Sequence, residues 1–347
     1  MAPPGFEAER NSRRFVVSEF AIVSWHAARV EITSTISDAT FATDNFDLLR
    51  VLHAFAEPRT VQDVVREFDA YGPRQIASCI SELIEADVLV AEPVRDPATQ
   101  HHWDRNALAL HWSSRRSGCH KKPGHATAAA ATRRSPSTIP LVSGFIEKGR
   151  DLIDVLDARR SWRAWGKGPI CFEAFSRFLW LSARNRAVSE EETNGNYVSR
   201  PYPSGGGAYS LEVYPVIAPQ SVELLTAGLY RYLPEIHGLE KVSVQRADYL
   251  PFLEAAGRSA GTSPAPIVFV ITSRFARQSE MYGDLAYSLV LKEVGCLFQT
   301  LYLVGEYLGL APCALGGGAP VGLLARLCNT TELAEPVVGE FMIGARR

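Results

Sequence analysis

Arg200-Pro201-Tyr202-Pro203-Ser204-Gly205-Gly206-Gly207-Ala208-Tyr209-Ser210 runs directly into Leu211-Glu212-Val213-Tyr214-Pro215. Prolines fix the approach and remove backbone donors. A serine and three glycines follow. The apolar run from Leu211 to Ala218 then reads as a buried strand. Glycines at a strand entrance let the backbone come close to a flat or phosphorylated ligand, because no Cβ stands in the way. Three glycines in a row also suit a plain loop, so the reading depends on what surrounds them.

Upstream, Arg159-Arg160-Ser161-Trp162-Arg163 ends a predicted helix over Ile146–Ala158. Guanidinium forks suit phosphate, although such a cluster standing alone is usually a solvated face. Downstream, Gly309-Leu310-Ala311-Pro312-Cys313-Ala314-Leu315-Gly316-Gly317-Gly318 ends a long predicted helix in a second glycine turn. Its free N–H groups suit an acceptor. Between them lie Gly228-Leu229-Tyr230-Arg231-Tyr232, read as the first strand of a hairpin, and Glu293-x-Gly295-x-x-x-Gln299 inside the long helix.

These five segments, in this order, resemble the FMN-dependent nitroreductase superfamily. Within it they are similar to the SagB/McbC-type dehydrogenases, which oxidise azoline rings to thiazoles and oxazoles. The resemblance covers roughly residues 145–347. It implies an α+β fold: an antiparallel-rich central sheet flanked by helices, dimeric, with the long helix at the dimer interface. It implies FMN as cofactor. Arg159, Ser161 and Arg163 would hold its phosphate and pyrimidine edge, and Pro203, Ser204 and Gly205 would face the ring. Gly316 and Gly317 would approach N5 or O4, with Gln299 near the flavin and Arg346 adding a phosphate contact. It also implies hydride transfer to flavin N5, reoxidation by oxygen, and a peptide substrate that is ribosomal or carrier-bound. Azole-forming members often carry a Lys-Tyr pair before the long helix. Here that place reads Met281-Tyr282, which leaves Tyr282 as the candidate base with Arg277 as a nearby source of charge. An unperturbed tyrosine, pKa about 10, is a weak base at neutral pH.

Composition agrees with an ordinary soluble protein: 347 residues, 46% hydrophobic, 21% charged, net charge −2. No run of about 18 apolar residues indicates a membrane span, and the N-terminus lacks an apolar signal core. Six scattered cysteines without CxxC spacing fit free thiols in a cytoplasmic protein. The near-neutral charge argues against nucleic-acid binding.

The expected organisation is a flexible 1–14, a winged-helix-like unit over 15–92, a linker over 93–140, and the FMN domain over 141–347. In the second segment, strand-like stretches at 21–25 and 30–33 precede three helices, Phe46–Ala56, Val61–Ala70 and Arg74–Ala86, and a strand at Val88–Val90. Arg66 and Arg74 stand there against Asp63, Glu67, Asp69, Glu82 and Glu85. That balance disfavours DNA. Leader-peptide recognition by strand addition and simple packing both remain open. Five of the eight histidines fall between 101 and 125, but no metal-ligand spacing appears, and no metal is expected. The basic stretch 113–140 reads as a linker.

Further elements are predicted at Cys171–Ser182, where an aromatic stripe reads as core, at the hairpin 228–243, at Tyr249–Ala256, at the central strand Ile267–Thr272, at the long helix Tyr282–Leu308 and at the last strand Glu340–Gly344. Residues 184–199 read as polar loop. Two other functions fit the same scaffold: an NAD(P)H-dependent nitro or enoyl reductase or a peptide dehydrogenase, and a non-catalytic peptide-docking partner.

Overall fold

The computed structural model describes residues 13–26, 29–34, 39–45, 47–68, 72–92, 106, 109–111, 138–145, 149–189 and 197–347. Most of the expected linker and the histidines at 101, 102, 120 and 125 lie outside the described residues. The chain forms two compact units, Met1–Arg116 and Ser117–Arg347.

The first unit contains β1 (Arg14–Val17), β2 (Ala21–His26), β3 (Arg29–Ser34), β4 (Thr40–Thr43), α1 (Asp47–Ala54), β5 (Arg59–Thr60), α2 (Val61–Glu67), α3 (Pro73–Glu85) and β6 (Leu89–Ala91). Thr60 caps α2 by accepting from the Asp63 N–H at 3.2 Å, and Pro73 opens α3, where its missing N–H costs nothing. One core gathers Leu52, Phe55, Val64, Ile80 and Leu83 with Val30 and Ile32 of β3. A wing formed after the helices was expected. Instead, β6 pairs with β1, which precedes them, in the order β5-β1-β6. The alternation of β1 explains this, since Phe15 is buried in that core. Strands β2, β3 and β4 form a separate antiparallel meander.

The second unit is an antiparallel seven-stranded sheet with helices on both faces. Its elements are β7 (Thr138–Pro140), α4 (Leu152–Ala158), α5 (Phe172–Ala183), β8 (Ala187–Ser189), β9 (Tyr197–Ser199), β10 (Leu211–Ile217), β11 (Gly228–Leu233), β12 (Gly238–Ser243), α6 (Arg246–Ala260), β13 (Ile267–Ser273), α7 (Ala276–Tyr282), α8 (Ala286–Tyr307), β14 (Cys313–Leu315), α9 (Leu323–Leu327) and β15 (Val337–Ile343). The strand order is β14-β15-β13-β10-β11-β12-β7.

Side-chain alternation sorts the two faces. Leu211, Val213, Ile267, Phe269 and Ile271 pack with Phe175, Phe178 and Leu179 of α5 and Val290, Val294 and Leu297 of α8. Tyr214, Val216, Val268 and Val270 face Tyr249, Phe252 and Leu253 of α6 on the other side. The apolar run of β13 is therefore central, and the aromatic stripe of α5 is core: Phe178 stacks on Phe269 at 5.3 Å. Burying each such side chain contributes about 1.5–3 kcal/mol.

Three boundaries differ from expectation. The sheet recruits Thr138–Pro140 from the end of the expected linker as its edge strand. Residues 187–189 and 197–199 pair as a hairpin instead of a loop. Helix α4 starts at Leu152 because Asp151 caps it, accepting from the Ile153 N–H at 2.8 Å. Helix α8 has the length and hydropathy of a membrane span, but its buried face belongs to the core against the sheet.

Candidate active site

Two groups of predicted site residues meet α8 at different points. The first is the Arg159–Arg163 arm. Helix α4 ends at Arg159, and the chain runs on without regular structure. The Trp162 N–H donates to the Pro312 carbonyl at 2.9 Å. The Ser161 and Tyr302 hydroxyls are 2.6 Å apart, and Tyr302 Oη accepts from the Ala314 N–H at 2.8 Å. Arg159 lies 5.2 Å over the Tyr302 ring. Tyr302 of α8 thus staples the arm to β14, which leads into Gly316–Gly318. Arg163 is exposed. Burial pushes the Cys313 thiol up and the charge of Arg163 opposes that rise. Among the described residues, neither Arg159 nor Arg163 is ion-paired with a carboxylate.

Arg346 reaches the same neighbourhood with its guanidinium already engaged. It pairs with Glu306 through both nitrogens, donates to the Leu310 carbonyl at 3.0 Å and lies 4.7 Å over the Trp162 ring. Glu306 is buried and also takes Arg150 at 3.4 Å.

The second group is the glycine turn at the strand entrance. The Tyr209 N–H donates to Ser204 Oγ at 2.9 Å, and Gly206 and Gly207 have φ of +59° and +67°. That conformation favours glycine. A Cβ added to Gly206 would overlap the Tyr282 hydroxyl and come within 2.8 Å of Met281 Cε. Tyr282 is thus seated on the turn. It ends α7, and Gly283, at φ +52°, breaks the chain before α8 begins at Ala286. The expected helix start at Tyr282 is replaced by this break. Arg277 donates to the Tyr209 carbonyl at 3.2 Å. Pro203 is exposed.

Beneath this turn lies a buried polar layer that sequence reasoning largely missed. Glu293 Oε2 accepts from Ser210 Oγ at 3.3 Å and from Gln278 Nε2 at 3.4 Å, and the Ser204 hydroxyl also faces this carboxyl. Burial raises the Glu293 pKa, opposed by these donors and by the Arg200 charge. Arg200 is itself buried and donates to Tyr202 Oη at 3.0 Å and to the Leu211 carbonyl at 2.8 Å. Arg200 and Gln278 stand among other polar residues in the sequence, so nothing local marks them as buried. Gln299 is exposed. Six residues at about 100° each put it roughly 120° around the helix from Glu293, so the two cannot share one face.

Leu289 of α8 packs 3.6 Å from the Cβ position of Gly205, whereas Tyr302 holds the arm. That separation is about 20 Å along the helix axis at 1.5 Å per residue. The arm and the second glycine turn share one end of α8. The first turn and Tyr282 share the other.

A flat phosphorylated ring fits these features. A Cβ at Gly207, Gly316 or Gly317 would meet nothing within 4 Å, so open space faces both turns. Gly317 and Gly318, at φ +140° and +137°, hold a conformation that L side chains rarely adopt. The Glu340 carboxyl supports that turn, accepting from the Ala319 N–H at 2.9 Å. The Nitroreductase family profile matches residues 156–345. The chain belongs to the nitroreductase family. Members with this fold are FMN-type oxidoreductases.

Protein MJ1384 of Methanocaldococcus jannaschii is 30% identical over 165 residues, covering 48% of this chain and 78% of that protein. The trifolitoxin-processing protein TfxB of Rhizobium leguminosarum bv. trifolii is 22% identical over 299 residues, covering 74% of this chain and 76% of TfxB. The microcin B17-processing protein McbC of Escherichia coli is 31% identical over 115 residues, covering 33% of this chain and 42% of McbC.

Proposed function

We propose that this nitroreductase-family protein is an FMN-dependent dehydrogenase that oxidises a thiazoline or oxazoline ring of a peptide, working as a homodimer. The observation that carries the reading is the seating of Tyr282 on the Gly205–Gly207 turn, which puts a hydroxyl beside the backbone expected to face the ring. The processing roles in the names of TfxB and McbC support a peptide substrate. A peptide-recognition role for residues 15–92 belongs to this reading, and the similarity to TfxB, over 74% of the chain, reaches beyond the second unit.

In this reading Arg159 and Arg163 hold the phosphate, with Ser161 fixed by Tyr302. Pro203, Ser204 and Gly205 orient the ring, and Gly316 and Gly317 offer N–H groups. FMN, when bound, supplies the two-electron acceptor. Tyr282 Oη, as the phenolate, would take the substrate's ring proton and become the neutral phenol. Close approach and orientation do most of the work, with proton transfer adding about 10²–10⁴-fold.

The 20 Å offset along α8 supports a site built from two copies, one giving the arm and the other the turn. Leu152 and Ile153 on α4 are 64% and 67% exposed, and Leu291 on α8 is also exposed. Burying such a surface favours a second copy. Anaerobic addition of an azoline peptide to the purified protein is expected to bleach a flavin absorption band, and Tyr282→Phe to slow that bleaching at least tenfold. Bleaching by NADPH but not by the peptide would establish the reductase reading instead. Met281, in the place of the family's lysine, is the observation that favours that second reading.

A further inference from the structure

Four polar groups converge under the Ser204–Gly207 turn, and their hydrogen bonds do not close. Glu293 Oε1 and Gln278 Oε1 are both buried without a partner among the described residues, while Glu293 Oε2 and Gln278 Nε2 form one contact at 3.4 Å. Both residues are almost fully buried, at 2% and 0% exposure. A buried acceptor without a donor costs about 1–3 kcal/mol, so two such orphans on one touching pair call for a shared remedy. A proton on Glu293 Oε1 turns one orphan acceptor into a donor for the other. The pair then becomes an acid–amide ring with two rungs, Nε2–H to Oε2 and Oε1–H to the amide oxygen.

The alternative is an ionised Glu293 neutralised by Arg200. The geometry speaks against it: no ion pair joins them, and the Arg200 Nε–H is itself without an acceptor. The other groups facing the carboxyl are neutral donors, Ser210 and Ser204 from the strand entrance and Gln278 from α7, with the Tyr202 phenol nearby. Burial disfavours the charge in the same direction.

We propose that Glu293 is a positioning residue that stays protonated at neutral pH and locks α8 to α7 through a two-rung pair with Gln278, thereby setting the Ser204 turn against Tyr282. Gln278 is placed to do both, because its Nε2 lies 3.7 Å from the Cβ position of Gly205 and Tyr282 follows on the same helix. The inference deepens the dehydrogenase reading and rests on it for the meaning of the turn. Its test reads the protonation itself and needs no flavin.

The experiment compares wild type, Glu293→Gln, Gln278→Glu and the exchanged double variant Gln278→Glu/Glu293→Gln by infrared difference spectroscopy and by denaturation across pH. The wild-type minus Glu293→Gln spectrum at neutral pH should show the carbonyl stretch of a protonated carboxylic acid. A group whose folded pKa is raised contributes stability below its unfolded value, about 4.3. That contribution is lost as pH rises through the folded value. Relative to Glu293→Gln, wild type should lose up to tenfold in its folded-to-unfolded ratio per pH unit over that window. Glu340, whose pKa burial also raises, is common to both proteins and cancels. The exchanged pair should recover wild-type stability, and Gln278→Glu alone should lose it most steeply as pH rises. A carboxylate band at Glu293, or identical pH profiles for wild type and Glu293→Gln, would overturn the assignment. A protein that never binds flavin but shows the acid band would fail the dehydrogenase reading while leaving this one standing.

Discussion

At the scale of single residues, the chain separates cations that brace the fold from cations free to bind. Arg163 and Arg346 are both phosphate candidates in the sequence, the first through the Arg159–Arg163 motif and the second as an added contact. The structure commits Arg346 to buried Glu306 and leaves Arg163 exposed without a carboxylate. Arg346→Ala should therefore lower stability by about 1–3 kcal/mol, because it removes the two-point cation of buried Glu306 and leaves that carboxylate only Arg150, seen as a lower denaturation midpoint. Arg163→Ala should leave that midpoint unchanged and weaken FMN retention about tenfold in an equilibrium titration. Gly206→Ala should cost about 1–3 kcal/mol, since it combines positive φ with overlap on Tyr282. The motif residues 159–163, 203–205 and 316–317 were legible because clustered glycines and arginines at element ends leave a local mark in the sequence. Tyr302, Arg200 and Gln278 were not, because their roles depend on contacts 12 to 141 residues away or on burial that no local pattern announces.

At the scale of elements, periodicity located every long helix and the central strands, and errors fell at the ends. The apolar periodicity of the long helix extends back to Tyr282, but Gly283 breaks it, and that break is what turns Tyr282 onto the glycine turn. Helix α4 lost its expected first turns to the Asp151 cap. The β11–β12 hairpin carries its own titration. His237 sits in the turn at φ +45°, its Nδ1 paired with Tyr232 Oη and its Nε2 with the Val142 carbonyl, each at 2.8 Å. Burial lowers its pKa from 6.5 to about 4. A base with a depressed folded pKa contributes stability above its unfolded value and loses it on acidification. Stability should therefore fall as pH drops from 6.5 towards about 4. His237→Asn, which tolerates the backbone, should flatten that fall in acid-denaturation curves.

At the scale of the whole molecule, one sequence yields two units whose cores share no residue. The α+β architecture of the second unit was expected from the family resemblance, and of its strands β13 alone announces itself as a continuous apolar run, Ile267–Ile271 behind Pro266. The pairing of β6 with β1 was not, because strand partners are chosen by the buried face of Phe15 and not by order along the chain. Nor was the separation of the two halves of the candidate site by the length of α8. That separation is the reason for a site shared between copies, and mixed dimers test it. Arg163→Glu disables the arm, and Pro203→Trp, at an exposed position, obstructs the turn. Each variant alone should bind almost no FMN. Dimers assembled from one copy of each regain a single intact site if arm and turn come from opposite chains. The measurement is bound FMN per chain in such mixed dimers: about one half of the wild-type value is predicted, and none at all would contradict a cofactor held between two copies.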